Sequence, residues 1–315
     1  MPSVVQLRGG HLEAVHPFSA VTVRDGEIVG SMGEDWTTTW RSAAKPFQLW
    51  CSLEALGDPD DLSDRQLAVG AASHAGQPEH VALVRSVLRR FGVKESELSC
   101  GAHPPINDGA AAALYRSGGE VAPIHNNCSG KHAFMLAACH LQALPGDYRD
   151  PGHPLQERIE SRIAAWAGAR PEHGVDGCGV PTWVLPISAM ARAWAAVAES
   201  FTSGDERLAR IARAMMNHPH LTSGTGRLDE ELMAGRREGM VVKIGAQALF
   251  CMAFPDRRLG LVVKVHTGQS KVLGAAVEAA LDHLAPGAWE RPPDWPWCRV
   301  ENVAGRLVGG LFVEV

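Results

Sequence analysis

The stretch Trp40-Arg41-Ser42-Ala43-Ala44-Lys45-Pro46-Phe47-Gln48 separates two kinds of pattern in the chain. Before it, Ala20 to Val23 and Glu27 to Val29 read as strands flanking Asp25-Gly26, a dipeptide suited to a tight hairpin turn. After it, Phe47, Leu49, Trp50, Leu53 and Leu56 recur at helical spacing, with Gly57 placed to end the helix. Strand gives way to helix at Ser42-Ala43-Ala44-Lys45. On a first helical turn that spacing puts the Ser42 hydroxyl and the Lys45 amine on one face, and Pro46 is tolerated because an early-turn amide has no intrahelical partner. A lysine kept neutral by burial or by a second cation could take the serine proton. The competing reading is a helix cap at Ser42 with Lys45 in solvent.

Working outward, Ser63 with Gln66 has the form of a capping box, and Pro78 can start a helix carrying Val81, Leu83, Val84 and Leu88. Further helices fit Gly109 to Arg116, Gly130 to Leu144, Leu155 to Ala167, Ala189 to Glu199, Glu206 to Met216 and Asp229 to Arg236. From Gly239 the pattern returns to strand, over Met240 to Lys243, Ala248 to Ala253 and Leu259 to Val265. A helix through Val272 to Leu284 and a last strand near Leu307 to Val315 follow. This order predicts an α/β (α+β) fold in which both chain ends build one antiparallel sheet. The expected organisation is a single catalytic unit with two lobes: a sheet lobe over about residues 1–41 plus 239–315 and a helical lobe over about 42–238, with a cleft for a small ligand.

With 315 residues, 45% hydrophobic and 21% charged, the chain can bury a large core. Its net charge of -5 and the lack of any basic window argue against a nucleic-acid partner. No run approaches the roughly 18 apolar residues of a membrane span, and Met1 to Gly10 carries no secretory pattern, so no membrane partner and a cytoplasmic location are expected. Cys51, Cys100, Cys128, Cys139, Cys178, Cys251 and Cys298 are odd in number and lack a C-x-x-C pair, which fits reduced thiols. The only lysines are Lys45, Lys94, Lys131, Lys243, Lys264 and Lys271; every other cation of the basic set is arginine. Because an amine can serve as a base and a guanidinium cannot, each retained lysine invites a reason.

Two further clusters carry chemistry. Ser73 lies in Gly70-Ala71-Ala72-Ser73-His74-Ala75-Gly76, and Lys243-Ile244-Gly245 lies on the strand where β structure resumes. The sequence of S-x-x-K, serine and K-x-G resembles serine β-lactamases, penicillin-binding proteins and serine-dependent glutaminases, and makes Ser73 with Lys243 a second serine-lysine pair. Lys264, on the next strand, is the rival for Lys243. The second cluster is His125-Asn126-Asn127-Cys128-Ser129-Gly130-Lys131-His132 together with Asp176-Gly177-Cys178-Gly179-Val180-Pro181. Cys128 and Cys178 could supply soft ligands, with Lys131 or His132 one turn beyond Cys128, for a small Zn site; the alternative is two buried apolar thiols. The chain has no H-E-x-x-H, which disfavours a thermolysin-like hydrolase.

Six ordered blocks together resemble the Rhizobium etli-type L-asparaginases, the asparaginase II family, which is similar to serine β-lactamases in structure. They are W-R-S-A-A-K-P-F-Q (Trp40 to Gln48), A-S-H-A-G-Q-P-E-H (Ala72 to His80), C-G-A-H-P-P (Cys100 to Pro105), H-N-N-C-S-G-K-H (His125 to His132), D-G-C-G-V-P (Asp176 to Pro181) and K-I-G-A-Q (Lys243 to Gln247). The resemblance implies a β-lactamase/glutaminase-like fold and hydrolysis of L-asparagine to L-aspartate and ammonia by the tandems Ser42 with Lys45 and Ser73 with Lys243. It implies a modulatory Zn on Cys128, Lys131 and Cys178, and a homodimer. By analogy with the β-lactamase-like cleft, backbone N–H groups of Ser42 and Ala246 would hold the oxyanion. Arg41, Asp176 and His132 complete the expected substrate-binding set. Competing functions are another serine amidase or β-lactam-recognising enzyme, and a non-catalytic zinc-binding ligand sensor.

Overall fold

The structure is a computed structural model that describes residues 1–234 and 239–315. In chain order the elements are β1 (Ser3–Arg8), β2 (His11–Arg24), β3 (Glu27–Met32), β4 (Thr37–Thr39), α1 (Lys45–Leu56), α2 (Asp64–Gly70), α3 (Pro78–Arg90), α4 (Asp108–Arg116) and α5 (Ser129–Leu141). They continue with α6 (Pro154–Ala167), β5 (Glu172–Val175), β6 (Pro181–Pro186), α7 (Ile187–Ser203), α8 (Glu206–Asn217), α9 (Pro219–Thr222) and α10 (Leu228–Ala234). The last are β7 (Val241–Gly245), β8 (Leu249–Phe254), β9 (Leu259–Val265), α11 (Leu273–Leu284), β10 (Arg299–Glu301) and β11 (Leu307–Glu314). The helix expected over Asp229 to Arg236 is seen to Ala234; Arg236 lies outside the described residues.

The fold is mixed α/β, and its larger sheet is antiparallel. Two compact units are distinguished, one of Met1–Ala43, Leu185–Glu199 and the described part of Gly235–Val315, the other of Ala44–Val184 and Ser200–Ala234.

In the first unit the strands run in the order β10-β11-β1-β2-β9-β8-β7, with β3 paired to β2. The two chain ends meet directly: β1 pairs with β11 in the register Ser3↔Glu314 to Arg8↔Gly309. The Asp25-Gly26 turn joins β2 to β3, with both residues at positive φ (49° and 79°), as a tight hairpin requires. Strands β7, β8 and β9 are fully or nearly fully buried along their length, which explains their continuous apolar runs. Helix α11 packs on this sheet through β9, β11 and β2.

The second unit is built around two buried helices. In α1 every residue but Glu54 is buried, and it packs on α5, α6 and α8. Helix α5 is buried from Ser129 through Cys139. Phe47 and Trp50 of α1 both meet Trp166 of α6, with ring centroids 5.1 Å apart in each case. Gly57 ends α1 at φ 74°, and Ser63 with Gln66 closes a capping box on α2. Because α1 and α5 are apolar all round, any charged side chain on them is held in the interior and must be satisfied there.

Candidate active site

Two such side chains sit at the starts of those helices. Lys45 is the first residue of α1 and Lys131 the third of α5; their exposures are 0% and 2%. Lys243 (0%) and Lys264 (4%) are buried in the other unit, so four of the chain's six lysines are interior. Lysine is almost never fully buried without partners, and each of the four has them.

The Lys45 amine lies 2.7 Å from the Ala72 carbonyl, 3.1 Å from the Asn127 carbonyl and 3.0 Å from the Ser73 hydroxyl. Ser73 is not on a helix: α2 ends at Gly70, and the segment beyond is tied down by the Ser73 N–H donating to the Thr222 carbonyl at 3.0 Å. Burial holds the Lys45 amine below the ordinary lysine range, with nearby Lys131 acting in the same direction and Cys128 and Cys178 against it. The Lys45 amine donates to the Ala72 and Asn127 carbonyls and to the Ser73 hydroxyl oxygen, and loss of one of those protons would leave a lone pair facing the hydroxyl. That arrangement can exchange a proton with a serine.

Beside it, Cys128 and Cys178 are hydrogen-bonded to each other and buried, with exposures of 5% and 4%. Cys128 closes the loop before α5. Cys178 sits in the β5–β6 turn, which is pinned by Asp176 N–H to Val180 O and Gly179 N–H to Asp176 O, both 2.9 Å. The contact between the two sulfurs moves the Cys128 thiol well below the usual range and the Cys178 thiol above it, and Cys128 Sγ also lies 3.1 Å from Asn127 Oδ1. Burial opposes charge on Lys131, but Cys178, Cys128 and Asp176 together outweigh it and raise its pKa. Its Nζ is 4.0 Å from Asp176 Oδ2.

Two buried thiols with a buried amine near them are donor types that zinc accepts. Among the described residues no group of three His, Cys, Asp and Glu side chains gathers as a ligand set, so such a site needs the Lys131 amine as its third donor.

His132, fully buried, accepts the Tyr148 hydroxyl proton at Nδ1 (2.7 Å), because the Tyr148 oxygen itself receives the Ser99 N–H (3.2 Å). The remaining proton is therefore on Nε2, which has no protein partner. Burial keeps the ring neutral, depressing its pKa far below the ordinary value, with Lys131 and Lys45 adding to the effect.

In the sheet unit, Gly245 brings two motifs together. A Cβ at this position would stand 3.1 Å from the Trp40 carbonyl, so only glycine lets the segment leading into Ser42 lie against the strand of Lys243. Arg41, the residue between, holds a left-handed φ of 51°, an uncommon conformation for arginine that turns the chain from β4 into the short 3-10 helix Arg41–Ala44. Ser42 and Arg41 are half-buried. The Lys243 amine donates to the Ile244 carbonyl at 2.8 Å. Ala246, half-buried, opens the β7–β8 turn, where Gln247 and Ala248 have φ 58° and 54°.

One residue that sequence reasoning passed over is His103. The Asn127 N–H donates to its Nε2 at 3.1 Å, and its Nδ1–H donates to the Pro104 carbonyl at 2.6 Å. His103 thus holds the N–H side of Asn127, the residue whose carbonyl receives Lys45. Its signal was a histidine between Gly101 and the Pro104-Pro105 pair, a position that reads equally well as a surface loop.

A family model described as L-asparaginase II matches residues 4–311. No curated protein matches the chain. Among solved structures, the chain is similar to a candidate β-lactamase from Bacteroides dorei, with 12% identity and a TM-score of 0.44 over 85% of this chain and 94% of that one. It is also similar to a β-lactamase from Mycobacterium bovis, with 11% identity and a TM-score of 0.36 over 84% of this chain and 93% of that one.

Proposed function

Since the chain belongs to the L-asparaginase II family, we propose that it is an L-asparagine amidohydrolase of the Rhizobium etli type, releasing L-aspartate and ammonia through a serine acyl-enzyme. The observation that carries this reading is the buried Lys45 amine, bound by two carbonyls and the Ser73 hydroxyl. Burial lowers the pKa of an amine so placed, which favours its base form.

In the proposed sequence Lys45 takes the Ser42 proton and the Ser42 oxygen attacks the side-chain amide carbon. The oxyanion is received by the N–H groups of Ser42 and Ala246, each such donor being worth about 2.7–4 kcal/mol. As the C–N bond breaks, a proton passes from Lys45 through Ser73 and Lys243 to the leaving nitrogen, which departs as ammonia. Water then attacks the ester carbon, its proton returns through the same groups to Ser42, and aspartate is freed. Arg41 and Asp176 orient the substrate's carboxylate and amino groups, and the Nε2–H of His132 supplies a fixed donor.

Cys128, Lys131 and Cys178 would hold zinc, which as a bound cation would add positive charge for orienting an anionic group. All seven cysteines are free thiols, in keeping with the reducing cytoplasm we assign, and the family expectation of a homodimer is kept. No described helix is long and apolar enough to cross a membrane.

The test is ammonia release from L-asparagine, L-glutamine and a chromogenic cephalosporin side by side, with and without chelator. Turnover of asparagine alone is the expected result. Turnover of the cephalosporin, or of nothing, rejects the assignment.

A further inference from the structure

The Lys264 amine donates to two backbone carbonyls, Gln247 O at 2.6 Å and Val265 O at 2.7 Å. The β-sheet register places it on the same face as the K-x-G strand, since Gly245 pairs with Leu249 and Leu249 with Lys264. It therefore reaches along the sheet to the turn that follows Gly245.

That turn needs holding. Gln247 and Ala248 are consecutive non-glycine residues at φ 58° and 54°, and such backbone persists only where its surroundings over-determine it. Two contacts do so, the Val265 N–H donating to the Ala248 carbonyl at 3.0 Å and the Lys264 amine donating to the Gln247 carbonyl. Ser19, the cross-strand partner of Lys264, is occupied elsewhere, by His266 Nε2 at 2.9 Å and the Glu34 N–H at 3.0 Å. The Lys264 amine meets carbonyl oxygens, which have no proton to exchange, whereas Lys45 meets a serine hydroxyl.

We infer that Lys264 is a positioning residue, a clamp that sets the β7–β8 turn so that the Ala246 N–H is aimed at the oxyanion. This rests on the amidohydrolase reading given above. It assigns Lys264 to backbone geometry, and the role proposed above for Lys243 is unchanged.

The test compares the full chain with Lys264→Met and Lys264→Arg, measuring steady-state ammonia release from L-asparagine and amide hydrogen exchange across the β7–β8 turn. Misaiming one oxyanion donor should lower kcat roughly 10- to 100-fold with little change in KM. Exchange at residues 246–248 should quicken in Lys264→Met while β8 and β9 stay protected, and Lys264→Arg should restore most of both. Unchanged turn exchange, or full kcat in Lys264→Met, overturns the clamp. A wild-type chain that releases no ammonia instead rejects the amidohydrolase reading, and the exchange measurement still decides the role of Lys264. Should Lys264→Met not fold, Lys264→Gln, which can reach one carbonyl and not both, is read in the same way.

Discussion

Lys45 and Ser73, 28 residues apart in sequence, meet at 3.0 Å inside one structural unit. The contact is made by two different kinds of constraint. Lys45 is fixed by its place at the start of a buried helix, while Ser73 is fixed by its own backbone hydrogen bond to Thr222. Lys45 does not depend on the Ser73 side chain beyond this contact, whereas the Lys45 amine also bonds the Ala72 carbonyl and so helps to hold the segment that carries Ser73.

Lys45→Met keeps the volume and removes the base, and Ser73→Ala removes the hydroxyl that shares its proton. Each should cut kcat for asparagine by about 10²- to 10⁴-fold, the usual range for loss of a general base. Lys45→Met also leaves the Ala72 and Asn127 carbonyls short of a donor, so its melting temperature should fall more than that of Ser73→Ala. Ammonia release and thermal melts on both variants check this; wild-type turnover in either ends the mechanism.

Gly130 is the glycine of C-S-G-K-H, and a Cβ there would stand 2.1 Å from the Val69 carbonyl of α2. Helix α5 can approach α2 only because this position is bare. Gly130→Ala must move backbone, for which overpacking typically costs about 1–3 kcal/mol, and it moves the very turn that carries Lys131. We expect a lower urea midpoint together with weakened zinc retention, measured by denaturation and elemental analysis. A midpoint equal to wild type would show that the two helices can separate at no cost.

Local signals were legible in the sequence where one residue type has one physical use. Asp25-Gly26, the Ser63–Gln66 box, Pro78 and Gly57 all sit where the hairpin, the cap, the helix start and the helix end are found. The pairing of the two chain ends also followed from element order, and β1 with β11 shows it. Strands β5 and β6 were not read, because four and six residues beside prolines and glycines carry too little periodicity to separate from a loop. Strand β2 begins nine residues before the stretch Ala20 to Val23, since none of His11 to Pro17 is buried and the run carries no clean alternation. Of the candidate site, the side chains near Lys45 were partly visible as motifs. The partner of its amine was not, because spacing along a helix suggests Ser42 while the Ser73 contact is made by tertiary folding alone.

Acid should destabilise the fold through histidines that are kept neutral. His80 accepts the Gln77 N–H at Nδ1 (3.2 Å) and is bonded at Nε2 to the His220 carbonyl (2.9 Å). His74 accepts the Gly76 N–H at Nδ1 (3.2 Å) and meets Ser129 Oγ at 2.9 Å. Burial is the main cause that lowers both pKa values from the ordinary 6.5, for His74 the more so, with His80 adding to it. In the unfolded chain these rings titrate normally and bind protons that the folded chain refuses. The stability they lend is thus whole above the ordinary value and is lost as pH falls from there through the folded values. The urea midpoint should drop between pH 7.5 and 5.5, and by less in His80→Gln; an equal drop in both would remove His80 from the account.

Zinc and the thiol pair give the last expectation. Without metal, burial opposes charge on Lys131 while both sulfurs and Asp176 raise its pKa, and the contact between the cysteines moves Cys128 down and Cys178 up. Metal would replace protons on the sulfurs and on the amine, so binding must release protons and weaken as pH falls. Cys128→Ala takes away the thiol whose pKa is shifted down, and Lys131→Met the amine whose pKa is raised. Both should lose zinc by elemental analysis, and the loss in Lys131→Met should be the smaller, because two thiols remain. If the metal only orients substrate, chelation should raise KM for asparagine and leave kcat within about threefold, since uniform binding moves KM alone. A collapse of kcat on chelation, with KM unchanged, would instead place the ion in the chemical step and remove Lys45 from its role as the base.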